Sequence, residues 1–282
     1  MKLTRPSEVR ALLDELNIRP LKPLGQNFLI DANILAILLD TAAITADDEI
    51  LEVGTGLGVL TEPMAKIARR VVTVEKDRRL CDFLKEHLQR FPNVELIFDD
   101  MLSLDHEALL ESGISKVVAN LPYSVGSAIL VNFLQARTPP RQMTLTLQLE
   151  VARRLAAIPG NKDFGLLSLW SQLTYDVSIR KIISPTCFYP APNVRSAILH
   201  LVRREPQELQ SARCDFFFAL TKFAFSHRRK QLGTVFRAVP AQWNLSPERI
   251  QAAFKESELD PQARPEELAV SQWQRLAQAL HP

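Results

Sequence analysis

From residue 45 onward, short apolar runs alternate with stretches of helical periodicity, and that alternation restricts the possible folds more than any other feature of the chain. Ile50-Leu51-Glu52-Val53, Val71–Val74, Val94–Phe98, Val117-Val118 and Thr144–Gln148 read as five short strands. Between the second and third, Leu80, Phe83, Leu84, His87 and Leu88 fall on one face of an α-helix. Strands separated by helices need right-handed crossovers, so a parallel sheet covered on both faces is expected. Two later runs, Tyr175–Ile183 and Ser196–Val202, have only residues 184–195 between them, too few for a crossover helix. They are expected to pair antiparallel.

Amphipathic helices are expected before the sheet, around Val9, Leu12, Leu13 and Leu16, and around Ile34, Leu35 and Leu38. After Arg203-Arg204-Glu205-Pro206 the strand signal stops, and residues 215–280 read as helices punctuated by proline. The sequence thus predicts an α/β domain over residues 1–205, its sheet mostly parallel with an antiparallel last strand. A small all-α domain over residues 206–282 is expected to follow.

Composition sets the class. With 282 residues, 46% hydrophobic and 23% charged, this is an ordinary globular chain. Its net charge of +2 does not demand a nucleic-acid partner, so any basic surface must come from uneven distribution. Cys81, Cys187 and Cys214 are scattered, which argues for a reducing compartment and against a disulfide framework. The five histidines lack metal-ligand spacing, and no zinc or other metal is expected. No apolar run reaches membrane-spanning length, and Met1–Arg10 lacks a signal-peptide core. A cytoplasmic protein without membrane contact is the expectation, with a monomer as the default.

The chemistry gathers where strands end. The first strand runs into Gly54-Thr55-Gly56-Leu57-Gly58, glycines that let backbone N–H groups approach a ligand at the start of a helix. Val59 stands where a dinucleotide fingerprint would place its third glycine, which weakens a nicotinamide or flavin reading. The second strand ends at Glu75, where a carboxylate can hold two ribose hydroxyls; the third ends at Asp99-Asp100, suited to an adenine amino group. Each carboxylate taken alone reads more readily as a solvated strand end. Together they describe a nucleoside pocket with little demand for pyrophosphate, and S-adenosylmethionine fits it. The fourth strand leads into Asn120-Leu121-Pro122-Tyr123. There an amide carbonyl and the Leu121 backbone carbonyl, turned outward by Pro122, can hold an amino group beside a flat aromatic face. Alone, the same four residues also suit a plain turn.

With these motifs in register, the chain resembles the Rossmann-like methyltransferases that act on amino nitrogens. Leu24–Leu29 (LGQNFL), Gln148–Leu155, Pro159–Gly165, Phe188–Ala197 (FYPAPNVRSA) and Phe225–Lys230 (FSHRRK) narrow the resemblance to the ribosomal small-subunit RNA adenine dimethyltransferase family, from about residue 20 to the C-terminus. Three positions depart from that family's usual residues: Asn193, Arg195 and His227. The resemblance implies that Asn27 and Leu29 border the cofactor and that Gly54 and Gly56 lie beneath its amino-acid tail. It gives Glu75 the ribose, Asp100 the adenine, and Asn120 the junction with the target base. It also implies that Phe188 closes the base pocket opposite Tyr123, although the residue in isolation reads as a core aromatic. It implies dimethylation rather than monomethylation, and small-subunit rRNA within an immature small ribosomal subunit as the partner.

Basic residues at Arg137, Arg141, Arg153 and Arg154, and at Lys222, Arg228, Arg229 and Lys230, are candidate phosphate contacts. For Arg153 and Arg154 a solvated helix face is an equal alternative. A target base must leave its stack to enter such a pocket, so an unpaired loop or helix end is expected. Three rival readings remain at this point: a large-subunit adenine methyltransferase of the macrolide-resistance type, an inactive RNA-binding assembly factor, and a small-molecule methyltransferase.

Overall fold

The computed structural model describes residues 3–20, 25–204 and 215–281. Nine strands occur among them: β1 (Phe28–Leu29), β2 (Glu49–Val53), β3 (Arg70–Glu75), β4 (Val94–Phe98), β5 (Lys116–Asn120), β6 (Gln142–Gln148), β7 (Tyr175–Ile183), β8 (Phe188–Tyr189) and β9 (Ser196–Arg203). Seven form one sheet in the order β4-β3-β2-β5-β6-β9-β7. The neighbours from β4 through β6 pair in parallel, and β9 runs antiparallel to β6. The two late strands are neighbours in the sheet, and the sheet is mostly parallel, as the alternation requires.

Chain order explains where a ligand can bind. From the central β2 the chain builds outward to β3 and β4, then returns to the other side of β2 for β5 and β6. Crossovers on the two sides leave a crevice at the carboxyl ends of the strands next to this reversal. The sheet rests on fully buried branched residues, among them Ile50, Val71, Val118 and Ile198, packed with Leu38 of the helix Ala32–Ala42. Asp31 starts that helix by accepting the Asn33 and Ile34 N–H groups at 2.9 and 3.0 Å.

One pairing was not legible as a strand. β1 and β8, two residues each, form a separate antiparallel ladder, with Phe28 opposite Tyr189 and Leu29 opposite Phe188. Alternation along β1 sends its side chains to different cores. Phe28 packs with Val9, Leu12 and Leu84, whereas Leu29 packs with Ile34, Val118 and Phe188.

Compactness divides the chain differently from a single cut at residue 205, a position outside the described residues. One unit comprises Met1–Ala152 and Val177–Arg203; the other comprises Arg153–Asp176 and Arg204–Pro282. The expected boundary therefore needs correcting over residues 153–176. The reason is packing: Trp170, in the helix Leu166–Thr174, donates its indole N–H to Thr221 Oγ1 at 3.0 Å and stacks edge-on against Phe218. The second unit is otherwise helical, with Asp215–Ser226, Pro247–Glu256 and Val270–Leu280 as its longer helices. Phe217, Phe236 and Trp273 are fully buried in it.

Candidate active site

The carboxyl ends of β2, β3 and β5, with the turn after β4, line a cleft of about 850 Å³ in the first unit. Gly54, Gly56, Glu75, Asp100, Asn120 and Tyr123 are all on its walls, as is Asn27. Gly54 and Gly56 take φ of +81° and +59°, a backbone that only glycine adopts without strain, so the loop turns away from β2 with bare backbone facing the cleft.

Glu75 is almost wholly buried. Its Oε2 accepts the Gly56 N–H and its Oε1 the Asp77 N–H, each at 2.8 Å. Burial pushes its carboxyl above the usual range, although these N–H groups oppose the shift. Asp100 differs. It pairs with Lys76 Nζ at 2.5 Å and accepts the Leu102 N–H at 3.0 Å, and Lys76 above all holds its carboxyl below the usual range. Two carboxylates at neighbouring strand ends thus carry different proton affinities.

Asn120 closes β5. Its Nδ2 donates to the Asn27 carbonyl at 2.9 Å, and its Oδ1 is buried without a hydrogen-bond partner. The following turn is closed by the Pro122 carbonyl, which accepts the Val125 and Gly126 N–H groups at 3.2 and 2.8 Å. The Leu121 carbonyl is left outside those turn bonds. Gly25, at φ +65°, lies so close to this turn that a Cβ would stand 3.0 Å from the Tyr123 and Ser124 nitrogens. Tyr123 is fixed by a hydrogen bond between its hydroxyl and Ser196 Oγ.

Two assigned residues sit elsewhere. Phe188 does not line the cleft; it is 2% exposed, lies in the core beside Leu29 and Ile34, and meets Tyr123 edge-on with ring centroids 6.5 Å apart. Its pairing in β8 turns the ring into the core, so this arrangement braces Tyr123 instead of facing it across a base-sized gap. Leu29 is also buried, at 1% exposure. It borders a smaller cavity of about 340 Å³ that shares Phe28, Gly54, Gly56 and Asn120 with the main cleft.

Sequence reasoning gave no role to Glu52, which is completely buried and borders that smaller cavity. Its Oε2 accepts the Thr61 and Thr73 hydroxyls at 2.6 and 2.8 Å, while Oε1 has no partner. Burial pushes its carboxyl up to about 8. Lys76 and Asp77 were also missed. Their only sequence signal is that they follow Glu75, which cannot show the hydrogen bonds they form.

The basic residues separate in the same way. Arg141, itself largely exposed, points a guanidinium nitrogen at buried Asp48, 3.2 Å away. In the second unit, Arg154 and Arg228 line one polar cleft with Lys162, about 650 Å³ in volume. Arg228 donates to the Lys162 carbonyl at 2.6 Å and faces Glu266 at 3.6 Å. Arg153, Arg229 and Lys230 are exposed. Among the described residues no group of three His, Cys, Asp or Glu side chains could hold a metal, and no helix is long and apolar enough to cross a membrane.

Comparison with known proteins supplies the family. The family model described as "Ribosomal RNA adenine dimethylase" matches residues 19–281. This chain belongs to that family. Among curated relatives, the ribosomal RNA small subunit methyltransferase A of Geobacter metallireducens is 40% identical over 93% of this chain and 96% of its own length. The protein of that name from Anoxybacillus flavithermus is 35% identical over 99% of this chain and 97% of its own. Among solved structures, a dimethyladenosine transferase from Plasmodium falciparum superimposes with a TM-score of 0.71 at 22% identity, covering 87% of this chain and 94% of that one, and so shares the fold. The 23S rRNA methyltransferase ErmE gives 0.67 at 28% identity, over 91% of this chain and all of its own.

Proposed function

We propose that this chain transfers methyl groups from S-adenosylmethionine to N6 of two adjacent adenosines in a loop near the 3′ end of small-subunit rRNA, on the immature small ribosomal subunit. The observation that carries the reading is Asn120 Oδ1, a buried acceptor without a donor, in an amide whose other end is anchored. A buried polar atom left unmet costs about 1–3 kcal/mol, and the exocyclic N–H of an adenine would satisfy it.

The residues present suit the cofactor. The left-handed Gly54 and Gly56 leave room for backbone to approach its amino-acid tail, Glu75 is available to ribose hydroxyls, and Asp100 to the adenine amino group. When bound, the cofactor supplies an activated methyl group on a sulfonium centre. The protein's own contribution is orientation. An adenine amino group is a poor nucleophile because its lone pair is delocalised into the ring. Asn120 Oδ1 and the Leu121 carbonyl, accepting its N–H groups, would hold the nitrogen pyramidal with the lone pair directed along the cleft. No strong base is needed, because the alkylated nitrogen is acidic and its proton can leave to water. Tyr123 offers the base a flat face, braced by Phe188 and Ser196. Arg153, Arg154, Arg228, Arg229 and Lys230 are the proposed phosphate contacts, positioning RNA without reading its sequence.

The large-subunit alternative is supported less. ErmE is 28% identical, whereas proteins named for the small subunit reach 40%. The deciding experiment is methyl transfer from labelled cofactor to immature small subunits, followed by nucleoside analysis. Dimethyladenosine in the small-subunit RNA is expected. Monomethyladenosine alone, or no label in the small-subunit RNA, would refute the reading.

A further inference from the structure

Asp77 does not line the cleft, yet it is the most heavily hydrogen-bonded carboxylate near it. It is 5% exposed, and its bonds tie Glu75 on the cleft wall to Gln26 in the segment before β1. Its Oδ1 accepts the Arg79 backbone N–H at 3.1 Å and Nε at 2.8 Å. Its Oδ2 accepts Gln26 Nε2 at 2.7 Å and also Arg79 Nη2. Its own N–H goes to Glu75 Oε1. Arg79 then reaches back to the Arg19 carbonyl at 3.0 Å. Burial opposes the charge on Asp77, but the bonds from Arg79 and Gln26 outweigh it and hold the carboxyl below its usual range.

Arg79 already neutralises this carboxylate. The bond from Gln26 adds a neutral donor 51 residues distant in sequence, and what it adds is a fixed point on the N-terminal segment. The next residue is Asn27, whose carbonyl takes the Asn120 side-chain nitrogen. Immediately beyond Asn27 the chain is fastened again, by the β1–β8 ladder. Asn27 is therefore held on both sides, by Gln26 on Asp77 and by Phe28 on Tyr189. We propose that Gln26 and Asp77 are a positioning pair that fixes the Asn27 carbonyl and, through it, the direction in which Asn120 presents Oδ1 to the target amine. The proposal rests on the role given to Asn120 above. It links the proposed ribose carboxylate to the amine acceptor through hydrogen bonds and one peptide link: Glu75, Asp77, Gln26, Asn27, Asn120.

The test uses the full chain with Gln26→Leu, which keeps bulk without a donor, and Gln26→Glu, which sets a carboxylate against Asp77. Gln26→His, which keeps an N–H donor able to meet Asp77, is the conservative variant. Three quantities are read: the side-chain amide NMR signals of Asn120, assigned by their loss in Asn120→Asp; the dissociation constant for S-adenosylmethionine; and the single-turnover transfer rate at saturating cofactor and small-subunit RNA. Gln26→Leu is expected to move the Asn120 signals toward those of a solvent-exposed amide and to slow transfer by about tenfold or more. Cofactor affinity should stay within about threefold of the parent's. Gln26→Glu should behave alike, and Gln26→His should keep most of the rate and the parental signals. Unmoved Asn120 signals in Gln26→Leu would overturn the proposal, as would a parental transfer rate in that variant, or a Gln26→His variant no faster than Gln26→Glu. If the parent itself transfers no methyl group to small-subunit RNA, the functional reading fails instead, and the Asn120 signals still decide the pair.

Discussion

The Asn120 side-chain nitrogen lies 2.9 Å from the Asn27 carbonyl, and because only the nitrogen end of an amide can donate there, this one contact points Oδ1 away into a buried position with no partner. Orientation and unmet acceptor are thus one fact. The amide is held by one end and offered by the other.

Replacing Asn120 by alanine should therefore cost transfer far more than cofactor affinity. Loss of a preorganised polar group at a reacting centre typically lowers the rate by about 10²–10³-fold. Asn120→Asp should fall between parent and alanine, since it keeps an acceptor but turns a second oxygen on the Asn27 carbonyl. Single-turnover transfer and a cofactor titration on both variants measure the split. Parental rates in both would remove the assigned role.

Tyr123 and Phe188 should respond in different assays. Tyr123→Ala is expected to weaken base capture by about 1–3 kcal/mol, the usual worth of a stacked base. Phe188→Ala, at a position 2% exposed in the core, should instead cost roughly 3–5 kcal/mol of folding stability. Phe188→Leu should restore most of that stability. Denaturant titrations set beside RNA-binding curves separate the two effects. An unchanged unfolding midpoint in Phe188→Ala would show that its place in the core is dispensable.

Glu52 makes stability depend on pH. Burial raises its carboxyl to about 8, from an ordinary value of 4.5, with the nearby Glu75 charge adding to the shift. A group raised in the folded state binds its proton more tightly there. Its contribution is complete below pH 4.5, declines as pH rises, and is lost above about 8. Glu52→Gln mimics the neutral acid: its carbonyl can accept the Thr61 and Thr73 hydroxyls, and its NH₂ replaces the unpartnered oxygen. The variant should melt close to the parent at pH 5 and clearly above it at pH 9, by a difference on the order of a few kcal/mol. Calorimetric melting across that range is the check, and parallel curves would contradict the buried neutral acid.

What the sequence made readable and what it concealed follow one physical line. β2 through β6 and β9 were visible because buried strands of a mostly parallel sheet are runs of apolar residues, and Gly54–Gly58, Glu75, Asp100 and Asn120 were visible because each ends such a run. The β1–β8 ladder was not, since two-residue strands carry no periodicity and their pairing spans some 160 residues. The core position of Phe188 was legible from the residue in isolation, and only the family resemblance pointed to the base pocket instead. Residues 153–176 carry no composition break, so their membership of the second unit follows only from packing such as Trp170 on Thr221. Gln26 and Asp77 are ordinary polar residues until folding brings them within 2.7 Å.

Among the proposed phosphate contacts, some are exposed and one also bonds within the fold. Arg229 and Lys230 are exposed, whereas Arg228 donates to the Lys162 carbonyl and faces Glu266. If all three meet phosphate, neutralising Arg229 and Lys230 together should flatten the dependence of log affinity on log salt by about 1.5, because each lost phosphate contact removes about 0.7–0.9 from the slope. The unfolding midpoint should stay at the parental value. Arg228→Ala should flatten the slope by about 0.8 and lower the midpoint as well, since Lys162 and Glu266 lose their partner within the second unit. Binding to small-subunit RNA titrated at several salt concentrations, alongside thermal melts, measures both quantities. A slope left unchanged by Arg229→Ala with Lys230→Ala would move the phosphate contacts to Arg153 and Arg154, whose alanine variants should then carry the salt dependence.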